Sequence, residues 1–165
     1  MFTKTSDFLT EWKQETAITQ RLLDALTDDS LNQEVAPGYR TLGQLAWHIA
    51  WSLSYLKDLG LNVSKPAGEE AAPESAAFIA SEYCRLSAEL LQAVESEWPD
   101  EVLGQTVNLF GQDWHLGRTL RFVIQHEVHH RGQLTILMRQ AGLSVPGVYG
   151  PTRDEWIEKG QKPLL

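Results

Sequence analysis

The stretch Phe122-Val-Ile-Gln-His-Glu-Val-His-His-Arg-Gly-Gln-Leu134 decides how this chain is read. At about 100° per residue, His126 and His130 stand one turn apart on one face of a helix. With His130 at zero, Thr119, Val123, His126, Leu134, Leu137 and Ala141 fall within about 40° of it. The histidines therefore interrupt an apolar stripe rather than decorate a polar face. Two buried imidazoles bring four ring nitrogens in need of partners. Far upstream, His48 lies in Leu45-Ala-Trp-His-Ile-Ala-Trp51. It shares a mixed stripe with Thr41, Gln44, Leu45, Ser52, Tyr55 and Leu59, as expected beside a polar cavity. Two histidines from one helix and one from another make a facial set of ligands for one ion. Spacing alone leaves open the alternative that each is a core histidine satisfied by hydrogen bonds.

Working outward, the chain reads as a set of helices. Ser6 to Leu26 places Phe8, Trp12, Thr19, Leu22, Leu23 and Leu26 at amphipathic spacing, and Asp28-Asp29-Ser30 breaks it. Thr41 is the expected N-cap of a second helix running to Leu59. Its apolar positions cover more than half the wheel, so it is either central in a bundle or shared between a core and a subunit interface. Gly60 to Pro73 reads as a linker. Extended at about 3.3 Å per residue it is long enough to span a helix of about 30 Å and leave its neighbours parallel. Glu74 to Trp98 carries Ile79, Tyr83, Leu86, Leu90, Ala93 and Val94 on one face and stops at Pro99. Gln105 to His115 alternates weakly around Gly111, the pattern of a short hairpin. A fourth helix spans Arg118 to Ala141 and ends at Gly142, and a short run from Thr152 to Lys159 follows. The expectation is an all-α four-helix bundle, one domain over residues 1–165, with a small C-terminal helix and a hairpin before helix four.

The 165 residues are 42% hydrophobic and 22% charged, with a net charge of −8. No Lys/Arg cluster relieves that acidity, which argues against nucleic acid and anionic membrane as partners. No apolar run reaches transmembrane length, and the N-terminus lacks the apolar core of a signal peptide. The single cysteine, Cys84, permits no internal disulfide, so a cytoplasmic location is expected. Cys84 is read as a small core residue rather than a nucleophile or ligand. His129, about 100° from His130, is assigned to a side wall or the surface, and His115 to the periphery.

The string His126-Glu-Val-His-His130 also matches H-E-x-x-H, in which the glutamate is general base beside a zinc-bound water. A metzincin would need glycine at 133 and histidine at 136, where this chain has Gln133 and Ile136. For a gluzincin ligand only Glu155 or Glu158 is available downstream. Nothing before the helix reads as the sheet edge on which such peptidases hold substrate, so the peptidase is the minor reading.

Thr41-Leu-Gly-Gln-Leu-Ala-Trp-His48 and His126-Glu-Val-His-His-Arg-Gly-Gln-Leu134, taken together, resemble the DinB/YfiT-like superfamily of bacterial proteins. The long first helix, the linker before helix three and the overall length extend the likeness over nearly the whole chain. The resemblance implies an up-down-down-up bundle, frequently homodimeric, with a divalent metal, often nickel or zinc, held by His48, His126 and His130. It also implies chemistry on small molecules. Characterised relatives include S-transferases that use low-molecular-weight thiols such as bacillithiol or mycothiol as co-substrate, and others look hydrolytic. On that basis the leading expectation is a metal-dependent thiol S-transferase acting on small electrophiles. A small-molecule metal hydrolase and a non-catalytic metal-binding bundle are the alternatives. Glu127 is the candidate proton acceptor; lying about 60° from His130 at the edge of the ligand face, it suits a surface salt bridge nearly as well. Gln44, Ser52 and Tyr55 are candidate polar groups of the pocket.

Overall fold

The structure, a computed structural model, describes residues 1–109 and 111–164; Phe110 of the expected hairpin and the terminal Leu165 lie outside the described residues. Four long helices dominate: α1 (Thr5–Asp24), α2 (Leu42–Ser52), α3 (Ala76–Glu97) and α4 (Leu116–Gln140), with a short α5 (Arg153–Glu158) in the tail. Strands β1 (Thr106–Leu109) and β2 (Gln112–His115) form an antiparallel hairpin that pairs Thr106 with His115 and Leu109 with Gln112. Among the described residues no helix is long and apolar enough to cross a membrane.

The helices form a four-cornered bundle in which α1 and α2 occupy opposite corners, each packed against both α3 and α4. Directions follow from the anchor points. The starts of α2 and α3 both abut the 3-10 turn Asp28–Asn32: Leu42 N–H donates to the Gln33 carbonyl, and Ala76 N–H donates to Asp28. These two helices are therefore parallel. Between them the crossover runs back along α3, where Asn62, Ser64 and Ala67 donate backbone N–H groups to Glu97, Glu89 and Glu82 in turn. Arg85 bridges Glu82 and Glu89 and holds the Glu82 carboxyl below its usual range. A row of acids on one helix thus satisfies the polar backbone of an otherwise irregular segment. Helix α4 starts beside the N-terminus, where Phe2 N–H donates to the Gly117 carbonyl at 2.9 Å, so it runs parallel to α1. The order is up-down-down-up.

The core contains the stripes expected from periodicity, with Phe8, Trp12, Leu22 and Leu23 of α1 against Ile79, Tyr83, Leu86 and Leu90 of α3, all nearly inaccessible. Trp12 stacks on Phe8 and donates its indole N–H to the Ser87 carbonyl, so its one polar atom is satisfied at depth. The breadth of the α2 apolar surface is used within one chain, since Leu42, Leu45, Trp47, Ile49 and Leu53 are all buried.

Three expectations change in detail. The α-helix of segment two ends at Ser52 and continues as a 3-10 turn over Leu53–Leu59. The Ser52 and Ser54 hydroxyls donate to carbonyls three residues back, a competing interaction that favours the tighter winding. Helix α4 begins at Leu116, two residues before the expected start. Cys84 is exposed rather than in the core. It is turned about 160° from Leu86 and about 100° from Tyr83 on the α3 wheel.

Gly117 sits where a Cβ would overlap the Phe2 carbonyl, part of the backbone rather than a side chain that can swing away. Gly117→Ala is expected to cost about 1–3 kcal/mol, the usual range for overpacking, read as a lower urea midpoint at unchanged m-value.

Candidate metal centre

The histidine triad forms where α2 meets α4. Thr41 caps α2 through a reciprocal pair with Gln44, its Oγ1 accepting from Gln44 N–H while its own N–H donates to Gln44 Oε1. That cap fixes the start of the helix two turns before His48. His48 Nε2 and His130 Nε2 lie 3.3 Å and 3.1 Å from His126 Nε2, and one nitrogen from each of the three rings falls within 4.8 Å of the others. Zinc–imidazole bonds of about 2.0–2.1 Å place two nitrogens on one ion about 2.9 Å apart at right angles and about 3.3 Å at the tetrahedral angle. The donor set therefore fits one divalent ion. Among the described residues no cysteine or carboxylate joins the cluster, so the remaining coordination positions are left to a water or a substrate.

The rings are held in the state a metal requires. Burial, then the positive charge of Arg40 and the neighbouring rings, lowers the pKa of His48 from 6.5 to about 4. Burial and the adjacent histidines take His126 to about 4 as well. His130 is lowered chiefly by burial. At neutral pH all three are uncharged and offer lone pairs. Gln133 Oε1 lies 2.8 Å from His130 Nδ1. Accepting that N–H leaves Nε2 free to face the cluster, the outer-shell arrangement of many metal-binding histidines.

Helix α4 carries two stripes. Val123, His126 and His130 face α2, while Ile124, Glu127, Arg131, Leu134 and Met138 are buried deeper. This overturns the surface salt-bridge alternative for Glu127. Its 60° offset turns it into the bundle interior, where it is 2% exposed and in no salt bridge among the described residues. Its Oε1 accepts from the Thr19 hydroxyl at 2.6 Å and the Tyr83 hydroxyl at 2.7 Å, while its Oε2 is buried with no partner among the described residues. Burial raises its pKa despite those two donors. The same burial, with the carboxylate alongside, pushes Tyr83 far up. One turn on, Arg131, 1% exposed, pairs with Glu15 and also donates to the Glu15 carbonyl, the Thr19 hydroxyl and Tyr149 of the tail. Thr19 accepts from Arg131 and donates to Glu127, linking the two groups.

Beside the triad lies an apolar cavity of ≈ 270 Å³, walled by His48, His126, Glu127, Phe122, Leu56 and Leu109. Leu109 reaches it from the hairpin, whose Trp114 packs edge-on against Phe122 at 5.4 Å. Ser52 and Tyr55 line this cavity, and Gln44 lines a polar one on the other side of His48. His129 is exposed next to His130, and His115 is exposed with Nδ1 donating to the Gly104 carbonyl at 2.9 Å, both as expected. Periodicity placed Thr19 and Tyr83 on core-facing stripes without a role at the site, and it did not single out Arg131, Gln133 or Arg40. One signal was available: Glu15 sits on the α1 core stripe between Trp12 and Thr19, and an acid there needs a buried cation.

The sequence model of the DinB family matches residues 1–162, and the chain belongs to that family. It is 44% identical to YrdA of Bacillus subtilis over 161 residues, 97% of this chain and 96% of that protein. A DinB-like protein of Bacillus cereus of known crystal structure is also 44% identical, with a TM-score of 0.84 over 90% of this chain and 100% of the other. A second DinB-like structure, YjoA of Bacillus subtilis, shares the fold at 16% identity, with a TM-score of 0.68 over 88% of this chain and 99% of that one.

Because the folded His48 and His126 titrate near 4 and the unfolded rings near 6.5, neither contributes to pH dependence above 6.5. As pH falls from 6.5 towards 4 the unfolded chain takes up protons that the folded one refuses, so the metal-free protein loses stability across that window. Thermal midpoints of chelator-treated protein at pH 7.5, 5.5 and 4.5 are expected to fall more steeply for wild type than for the His48→Gln/His126→Gln double variant. Separately, Tyr83→Phe removes one of the two donors to buried Glu127 and is expected to cost about 1–3 kcal/mol in urea unfolding.

Proposed function

We propose that this DinB-family protein is a divalent-metal-dependent enzyme, with zinc or nickel as its ion, that transfers small electrophiles onto a low-molecular-weight thiol. The observation that carries this reading is the three-histidine set with no fourth ligand among the described residues, opening onto an apolar cavity lined in part by buried Glu127. A structural site would be closed by a fourth side chain. An ion held by three neutral imidazoles keeps open positions and lowers the pKa of a thiol brought to them, so that thiolate is available at neutral pH.

The chain's own groups supply the rest. Glu127, which lines the cavity and whose Oε2 has no hydrogen-bond partner among the described residues, accepts the thiol proton. Thr19 and Tyr83 hold Oε1 so that Oε2 stays directed away from them. The apolar wall, with Phe122, Leu56 and Leu109 in it, receives the carbon skeleton of the electrophile and excludes the water that would compete with the thiol. With monobromobimane as electrophile, the carbon–sulfur bond forms as the carbon–bromine bond breaks. Bromide leaves with the bonding pair and the proton passes to Glu127.

Purified wild-type protein is expected to contain about one equivalent of divalent metal by elemental analysis, and His126→Ala to lose it. Glu127→Gln keeps an acceptor oxygen for Thr19 and Tyr83. It is expected to retain the metal while thiol-dependent turnover of monobromobimane drops by about 10²–10⁴-fold. Turnover of esters or amides without thiol would move the assignment to a hydrolase. Unfolding on metal removal with no turnover of either kind would make the ion structural.

A further inference from the structure

Of the eight arginines in the chain, seven are engaged. Arg21 and Arg139 donate to carbonyls, Arg118 lies over Trp114, and Arg85, Arg121, Arg131 and Arg153 are in ion pairs. Arg40 alone has no hydrogen bond, ion pair or ring contact among the described residues. It precedes the Thr41 cap of α2, and its side chain borders two cavities. One, of ≈ 510 Å³, contains His130 and its partner Gln133; the other, of ≈ 370 Å³, contains His48 and Gln44. The apolar cavity next to His126 does not include it. The triad is therefore approached from two chemically different sides, an apolar one and one bearing an unpaired guanidinium. In a chain of net charge −8, an unneutralised cation at the rim of a cation site marks a place for an anion.

We propose that Arg40 is the anchor for a carboxylate on the co-substrate whose other end reaches the metal, so that the charged thiol enters along the Arg40 side and the electrophile along the apolar side. A monoanionic carboxylate matches a single planar guanidinium through two parallel hydrogen bonds. A doubly charged phosphate does not suit a rim with one arginine and with Glu70 lining the same cavity. The inference rests on the thiol-transfer reading and adds the chemical class of the thiol.

The test uses cobalt(II)-loaded protein, in which sulfur binding to the ion gives a charge-transfer band that can be titrated without turnover. Two thiols of equal length are compared, 3-mercaptopropionate and its neutral amide. Wild type is expected to bind the carboxylate about tenfold more tightly than the amide, the ratio that 1.4 kcal/mol corresponds to. Arg40→Ala is expected to abolish that preference by weakening the carboxylate alone, and Arg40→Lys to retain part of it. Equal affinity of wild type for both thiols, or equal weakening of both in Arg40→Ala, overturns the anchor while leaving the thiol site intact. Absence of the band with either thiol in cobalt-loaded wild type overturns the thiol reading itself, and the anchor with it.

Discussion

A guanidinium enclosed in a helical bundle has to be neutralised and hydrogen-bonded where it lies, and Arg131 is nearly inaccessible between α1 and α4. The idealised cost of moving such an ion from water to a dry interior is of order 20 kcal/mol, so its partners are constrained in position. Glu15 supplies the countercharge and a carbonyl, Thr19 a hydroxyl, and Tyr149 a second hydroxyl from the tail. Because Thr19 also donates to Glu127, the register between α1 and α4 that satisfies Arg131 is the register that positions the carboxylate beside the histidine triad. A slip of either helix by one residue would leave the arginine uncompensated.

Deep polar groups and shallow ligands divide α4 lengthwise. The stripe containing Glu127 and Arg131 faces the interior, and the stripe containing His126 and His130 faces α2 and the cavities. The histidines therefore lie close enough to the surface for solutes to reach them, yet are buried enough to stay neutral at physiological pH. Tyr149 bonds the same Glu15 carboxylate with its hydroxyl, pushed up to about 12 mainly by burial, so it keeps its proton throughout the physiological range.

The bundle was legible in the chain because helical periodicity is a local property. Phe8, Trp12, Leu22 and Leu23 repeat at the spacing of one face, and the ligand pair is visible for the same reason. What could not be read was pairing between polar side chains distant in sequence. Thr19 and Glu127 are separated by 108 residues, and Arg131 and Glu15 by 116. No period in either segment announces the other. Glu127 shows the consequence, since its angle from the ligand face was read correctly but not which neighbour filled the space there. Cys84 fails differently: its residue type favours burial, and its place on the α3 wheel overrides that preference. The break in α2 depends on the Ser52 and Ser54 hydroxyls, whose choice between solvent and backbone is settled by packing.

The three histidine nitrogens come from two helices, and the nearest pair across them, His48 and His126, is 78 residues apart. An ion held by all three would crosslink the helices. It would close a loop containing the crossover, α3 and the hairpin, and withdraw conformational freedom from the unfolded chain much as a long-range disulfide does. The protein has one cysteine, so no covalent bond can serve that purpose within the chain. A metal bound there would make the tie between α2 and α4 a reversible one, its strength at that seam set by the free concentration of the ion.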